Sequence, residues 1–301
     1  MTFEQLSIFV AVAEREHLTR AAAAIGLTPS AVSAAIRNLE AYYRVALFDR
    51  VGRRIELTAE GRLFLDEARA TLARARAAEL MLSELGGLSR GRLAIHASQT
   101  VASYWLPPLL MRFHADYPGI ELELTIGNTA SVAKAVHAGE ADVGFVEGPV
   151  SDPALAVVKV AADALLVTTA PGHPFADGRP LTPRQLIEDT GWVMREAGSG
   201  TRLAFEETLR QQGEDPARLR TVLTLPSNEA VLSAVVCGPC AAVVSSIAAA
   251  SRLREGELVA ANFTLPGRSF CLLRHKERRP SRAASMLETM SREPAHLGAG
   301  R

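Results

Sequence analysis

Residues 27–50 restrict the possible folds more than any other stretch. Thr28 suits a helix cap through its hydroxyl, and Pro29 suits the first helical position, where its missing N–H costs nothing. Val32, Ile36, Leu39 and Tyr43 recur at helical spacing and predict one buried stripe. Ser30, Ser33, Ala34, Arg37 and Ala41 fall on the opposite side, which is small, hydroxyl-bearing and carries one long cation. Such a face fits a DNA groove and its phosphates; periodicity alone favours a solvated helix surface. Upstream, Leu6, Phe9, Val10 and Ala13 mark a first helix, and Thr19 is read as the cap of a second over 20–25 that stops at Gly26. Two helices joined by so short a turn, the second capped and amphipathic, read as a helix-turn-helix. Downstream, Gly52 with Arg53 and Arg54 reads as a hairpin tip, and Ile55 and Leu57 alternate as on a strand. This is the pattern of a wing, from which Arg50, Arg53 and Arg54 would reach a sugar-phosphate backbone.

The formal net charge is zero, from 33 Lys plus Arg and 33 Asp plus Glu, so phosphate binding has to come from a local cluster. No apolar run reaches membrane-spanning length and the amino terminus has no signal-peptide pattern, so a cytoplasmic protein is expected. Three cysteines are too few for a disulfide scaffold. Cys237-Gly238-Pro239-Cys240 has dithiol spacing, yet it reads as a helix end, a turn and a buried strand, whereas a dithiol redox site follows a strand and opens a helix. Two inert thiols near a core are the expectation. The seven histidines are scattered, with no metal cluster and no complete phosphate loop, so neither an enzyme nor a metal or cofactor is expected.

Residues 59–85 predict one long helix without proline, in which Leu65, Leu72, Leu82 and Leu85 are available to a partner helix. Gly86-Gly87 and Ser89-Arg90-Gly91 break it, which suits a connecting rod through which a dimer presents two recognition helices to two half-sites. From Arg92 onward strands and helices alternate. Strands are predicted at 93–97, 121–126, 142–146, 164–169, 191–194, 222–225, 241–244 and 270–274. Helices are predicted at 101–117, 131–138, 183–188, 201–212, 227–237 and 246–253, and 274–282 reads as a basic surface tail. The alternation implies an α/β fold with largely parallel sheets, whose ligands bind at the carboxyl ends of strands. The last few residues are expected to be disordered.

Phe9, Ala22-Ala23, Leu27-Thr28, Ser30-Ala31-Val32-Ser33, Ile36, Leu39-Glu40, Leu47-Phe48, Arg50, Leu57-Thr58 and Gly61 together resemble the LysR-type transcriptional regulators. The resemblance implies a winged helix-turn-helix over 1–58, a linker and dimerisation helix with a hinge over 59–91, and an effector domain over 92–301 like the type 2 periplasmic binding proteins. It implies two subdomains there, about 92–162 with 268–301 and about 163–267. It also implies promoter DNA, a small-molecule effector and, transiently, RNA polymerase as partners of a homodimer or homotetramer. The DNA-facing set is then Thr28, Pro29, Ser30, Ser33, Ala34, Arg37, Arg50, Arg53 and Arg54. Two departures stand out. Pro29 stands where the family often has Gln, which moves base reading to Ser30, Ser33, Ala34 and Arg37. Arg44 stands where it favours Gly, a substitution costing about 1 kcal/mol in a left-handed conformation.

Within the family, Asn128-Thr129, residues 144–148, residues 195–202 and Ser227-Asn228-Glu229 resemble the branch that includes regulators of sulfur assimilation and carbon fixation. Ser98-Gln99-Thr100 and Gly198-Ser199-Gly200-Thr201-Arg202 each lie between a predicted strand and helix, where hydroxyls, backbone N–H groups and a helix N-terminus suit a small anion or carboxylate. Helix capping alone would also explain each loop. The resemblance brings them together in one interdomain cleft with Thr129 and Glu147. Glu147 would repel an anion, which leaves three roles open: pairing with Arg202, accepting from a ligand donor, or gating the cleft. The same output with a thiol input at Cys237 and Cys240 is the alternative reading, and a thiol-dependent enzyme a remote one.

Overall fold

The computed structural model describes residues 1–51, 54–85 and 91–293, and the chain divides into an amino-terminal and a larger carboxy-terminal unit. In the first, α1 (Phe3–Arg15) opens on a reciprocal capping box between Thr2 and Gln5. Next, α2 (Leu18–Ala24) is capped by the ring of His17, which accepts from the Arg20 N–H at 3.4 Å. The sequence reading put the cap at Thr19; the imidazole of His17, two residues earlier, takes that part. Then α3 (Pro29–Tyr43) begins as its sequence predicts, with Thr28 Oγ1 accepting from the Ala31 N–H at 3.2 Å and Pro29 in the first turn. Val32, Ile36 and Leu39 join Phe9, Val12 and Ala21 in one core. Tyr43, placed in the same stripe by periodicity, is 50% exposed because the helix leaves the core in its last turn.

A hairpin follows, β1 (Phe48–Val51) antiparallel to β2 (Arg54–Leu57), with Val51 opposite Arg54. Its tip, Gly52 and Arg53, lies outside the described residues. Glu40 Oε1 accepts from the N–H groups of Leu47 at 2.8 Å and Phe48 at 3.1 Å, tying α3 to the hairpin. The Thr58 hydroxyl donates to the Ala46 carbonyl at 2.9 Å and accepts from the Gly61 N–H at 2.9 Å. A Cβ on Gly61 would lie 2.1 Å from the Leu47 carbonyl oxygen, so only glycine fits there. Such backbone anchors give a physical reason for the spacing Leu39-Glu40, Leu47-Phe48, Leu57-Thr58, Gly61. Along α4 (Ala59–Leu85), Ala68 and Leu72 are buried in the same core and Leu65 packs on it. The early part of this helix therefore lies on its own unit, while Leu63 and Leu82 are exposed. Gly86, Gly87, Ser89 and Arg90 lie outside the described residues.

The carboxy-terminal unit has two lobes. The chain builds most of the first as β3 (Gly91–Ser98), α5 (Leu106–Asp116), β4 (Ile120–Gly127), α6 (Thr129–Ala138), β5 (Val143–Val146) and β6 (Leu155–Asp163). It then builds the second as β7 (Leu165–Thr169), α7 (Pro183–Glu188), β8 (Gly191–Arg195), α8 (Gly200–Gln211), β9 (Thr221–Leu225), α9 (Asn228–Cys237), β10 (Cys240–Ser245), α10 (Ser246–Arg254) and β11 (Val259–Ala260). It returns to the first as β12 (Arg268–His275) and α11 (Arg282–Arg292). The sheet orders are β4-β3-β5-β12-β6 and β11-β7-β10-β8-β9. Each has its own core, around Phe113, Phe145 and Phe270 in the first lobe and Trp192 and Phe205 in the second.

Among the described residues, parallel pairing holds only among β3, β4 and β5 and among β8, β9 and β10; β12 and β7 pair antiparallel with their neighbours. The sheets are mixed, not largely parallel, because the two strands flanking the crossings between lobes run back. Sequence reading missed β6, β11 and α11. The basic segment 274–282 hides the start of α11, whose Ala283, Ala284 and Leu287 are buried, and Arg274 belongs to β12. The helix predicted over 101–117 begins instead as a π-turn, Val101–Trp105, closed by the Leu106 N–H on the Val101 carbonyl. Pro107 and Pro108 have no N–H to continue an α ladder backwards. The calls on the chain's last residues, 294–301, lie outside the described residues.

Candidate functional site

On the amino-terminal unit, Thr28, Pro29, Ser30 and Arg37 are exposed, and Ser33 and Ala34 half-buried, on the side of α3 away from the core. Arg37 Nη1 donates to Ser33 Oγ at 3.0 Å, one turn away, and Thr28 and Ser30 share a hydrogen bond at 3.1 Å. Arg44 is left-handed at φ 55°, ψ 39°, the conformation its family counterpart would hold with glycine. Arg50 stands on β1 and Arg54 on β2, either side of the tip; Arg53 lies outside the described residues.

In the carboxy-terminal unit, β3, β4 and β5 end at Ser98, Gly127 and Val146, and β8, β9 and β10 end at Arg195, Leu225 and Ser245. The loops after these ends meet across the two lobes. A Cβ on Gly148 would lie 2.7 Å from Gly200 Cα and 2.9 Å from Thr129 Oγ1, so two glycines are what let the backbones approach. Ser98, Thr100, Thr129, Glu147, Ser199 and Thr201 are all buried here. Thr129 Oγ1, Ser199 Oγ and Arg268 Nη2 are buried without a hydrogen-bond partner. Ser199 precedes α8 without using its hydroxyl as a cap, so capping does not account for it.

The Ser98 hydroxyl donates to Glu147 Oε2, and Thr100 is hydrogen-bonded to Glu147 as well. Burial pushes the Glu147 carboxyl up from the usual carboxylate range, against the pull of Arg268 and Arg195. Arg202, one of the partners left open for Glu147, is engaged elsewhere: its guanidinium donates to Glu206 at 2.7 Å and to the Arg195 carbonyl at 3.2 Å. Gln99 is also engaged, accepting from the Asn228 N–H at 3.0 Å and donating to Glu229 at 2.6 Å and Ser103 at 3.2 Å.

Sequence reading left five neighbouring residues out of the site. Arg268 Nε donates to Asp163 Oδ2 at 2.6 Å and its Nη1 to Thr201 Oγ1 at 3.0 Å, while the Ser245 hydroxyl donates to Asp163 Oδ1 at 2.5 Å. Arg195 donates to Asn228 Oδ1 at 2.7 Å, and Asn228 donates to Thr100 at 2.9 Å. Arg195 and Asn228 stand in stretches that carried the family resemblance. Asp163 and Arg268 carried no local signal, because they meet only as opposed residues of β6 and β12.

Residues 3–62 match the bacterial regulatory helix-turn-helix protein, lysR family, and residues 86–294 match the LysR substrate binding domain. The chain belongs to the LysR family of transcriptional regulators. Among its relatives, it is 33% identical over 285 residues to the HTH-type transcriptional regulator YeiE of Escherichia coli, covering 94% of each chain. It is 34% identical over 245 residues to the RuBisCO operon transcriptional regulator of Allochromatium vinosum, covering 81% of this regulator and 80% of that one. Among solved structures, the Synechocystis CcmR regulatory domain in complex with 2-PG is 26% identical with a TM-score of 0.61. That match covers 69% of this regulator and 99% of the CcmR chain. The regulator thus combines a DNA-binding helix-turn-helix with an effector-binding domain. Among the described residues, no helix is long and apolar enough to cross a membrane.

Proposed function

We propose that this regulator binds promoter DNA through α3 and the hairpin after it, and senses a small anion or carboxylate in the cleft between its two lobes. One observation carries the effector reading: Thr129 Oγ1, Ser199 Oγ and Arg268 Nη2 are buried polar atoms with nothing to bond. Buried polar groups in folded proteins nearly always have partners, so donors left free at a strand–helix junction ask for an acceptor from outside. Domain boundaries follow the resemblance, 1–58, 59–91 and 92–301, and the working form is a cytoplasmic homodimer or homotetramer that contacts RNA polymerase and has no enzymatic activity. The likeness to the RuBisCO operon regulator supports the sulfur-assimilation and carbon-fixation branch.

Arg268 supplies charge to the anion, and Glu147 tolerates it because burial favours the neutral acid. Anion affinity therefore falls as pH rises through the elevated Glu147 pKa, where the carboxylate forms and repels. Ligand shifts the DNA-bound assembly only by its difference in affinity between lobe arrangements.

Calorimetry on the full chain with inorganic sulfate and acetate tests the effector reading. The expected outcome is binding that Thr129→Val and Ser199→Ala each abolish; binding unchanged in both variants overturns the site. The DNA reading fails if the full chain retards no upstream fragment at low ionic strength. Cys237 is exposed, Cys240 is buried and both are free. Replacing both with Ser is expected to leave the anion response intact, whereas its loss would favour thiol sensing.

A further inference from the structure

The Ser227-Asn228-Glu229 stretch takes no direct part in the cleft chemistry proposed above, yet it makes four hydrogen bonds from the second lobe to the first. The Asn228 backbone N–H donates to Gln99 Oε1 at 3.0 Å, and Asn228 Nδ2 donates to Thr100 Oγ1 at 2.9 Å. Glu229 Oε2 accepts from Gln99 Nε2 at 2.6 Å, and Glu229 Oε1 accepts from the Tyr104 hydroxyl at 2.8 Å. Their partners sit on a single short segment, residues 99–104, that overlaps the π-turn. That turn is where Pro107 and Pro108 break the ladder, so the unusual backbone of the first lobe is the part that engages the second.

Asn228 is fully buried and uses every polar group: its Oδ1 accepts from Arg195 at 2.7 Å, inside its own lobe. Gln99 likewise uses both ends of its amide. Its oxygen satisfies the first N–H of α9, a group left open at every helix start and here capped from the opposite lobe. Besides the Arg268–Thr201 and Ser245–Asp163 contacts, a further line between the lobes, through Asn128 and Ala130, is longer. Asn128 Nδ2 donates to Glu196 at 3.3 Å and to the Ala197 carbonyl at 3.2 Å, and the Ala130 N–H to the Gly198 carbonyl at 3.3 Å.

We infer that Asn228 and Glu229, gripping Gln99, Thr100 and Tyr104, are positioning residues that set how tightly the two lobes close. They touch no ligand in this scheme; they hold Thr100 against Glu147 and keep the Gly148 and Gly200 backbones together. Their relevance to sensing rests on the cleft being the effector site, but the closure itself does not.

Hydrogen–deuterium exchange on the full chain tests this without a ligand. Glu229→Ala and Gln99→Ala are each expected to speed exchange about tenfold at residues 147–149 and 199–201, to which Glu229 is not hydrogen-bonded. Amides in the middle of β3 and β10 stay protected, which separates opening from unfolding. Glu229→Gln, whose amide oxygen still accepts one of the two bonds, restores part of the protection. Faster exchange confined to residues 98–104 and 226–230 overturns the inference, because Glu229 then serves only its own neighbourhood. A sulfate arm separates the two readings: opening in Glu229→Ala with no sulfate protection in either protein supports the clasp and sinks the anion site.

Discussion

The candidate DNA-facing side chains of α3 come from a run between Thr28 and Arg37, stand at the surface, and are held by one another: Arg37 by Ser33, Thr28 by Ser30. Those of the cleft come from segments between Ser98 and Arg268 and are buried; Ser98, Thr100 and Thr201 are held by partners far away in the chain, while the Thr129 and Ser199 hydroxyls have none. A surface that meets a large polyanion can leave its groups solvated until contact. A site for a small molecule has to strip water first, and so needs polar groups positioned by a network. The contrast predicts where substitutions act: on binding alone in α3, on folding and binding together where a cleft side chain is held by partners.

Arg268→Met should have the largest effect. It leaves Asp163 buried beside only the Ser245 hydroxyl, and is expected to cost about 3–5 kcal/mol of stability in urea unfolding. A loss below about 1 kcal/mol would mean that this buried pair behaves like a surface one. Arg37→Ala should weaken operator binding by about 1–3 kcal/mol in a gel-shift titration, with the unfolding midpoint unchanged. A shifted midpoint would break the separation between the two regions. Arg44→Gly relieves the left-handed backbone and should raise stability by up to about 1 kcal/mol. Unchanged DNA affinity in that variant removes any phosphate contact by Arg44. Thr129→Val should be smallest in stability, within about 0.5 kcal/mol, since its hydroxyl has no partner to lose. A marked destabilisation there would show that the hydroxyl is already satisfied in the free protein.

The same contrast explains what could be read from the chain. The helix-turn-helix was legible because its signals are local: the Thr28 cap, the Pro29 start and the Val32, Ile36, Leu39 stripe. Tyr43 misled because periodicity cannot tell where a helix leaves its core. In the carboxy-terminal unit the alternation of strands and helices was legible and the strand directions were not. Pairing such as Arg268 opposite Asp163 depends on contacts across 105 residues. Ser98, Thr100, Thr129, Glu147, Ser199 and Thr201 were singled out from strand ends and family motifs, and all are buried at the junction of the lobes. Gln99 and Arg202 belong to the same loops, but their functional groups are taken by Asn228 and Glu229 in one case and by Glu206 in the other. Hydrogen-bond direction of this kind leaves no trace in spacing.

The Glu40 carboxylate, which receives the Leu47 and Phe48 N–H groups, has a consequence for operator geometry. It fixes α3 against the start of the hairpin, so under the proposed DNA reading a single half-site is gauged by a stiff template. Tolerance for different distances between half-sites must then arise outside each DNA-reading head, in the way copies of the chain are joined.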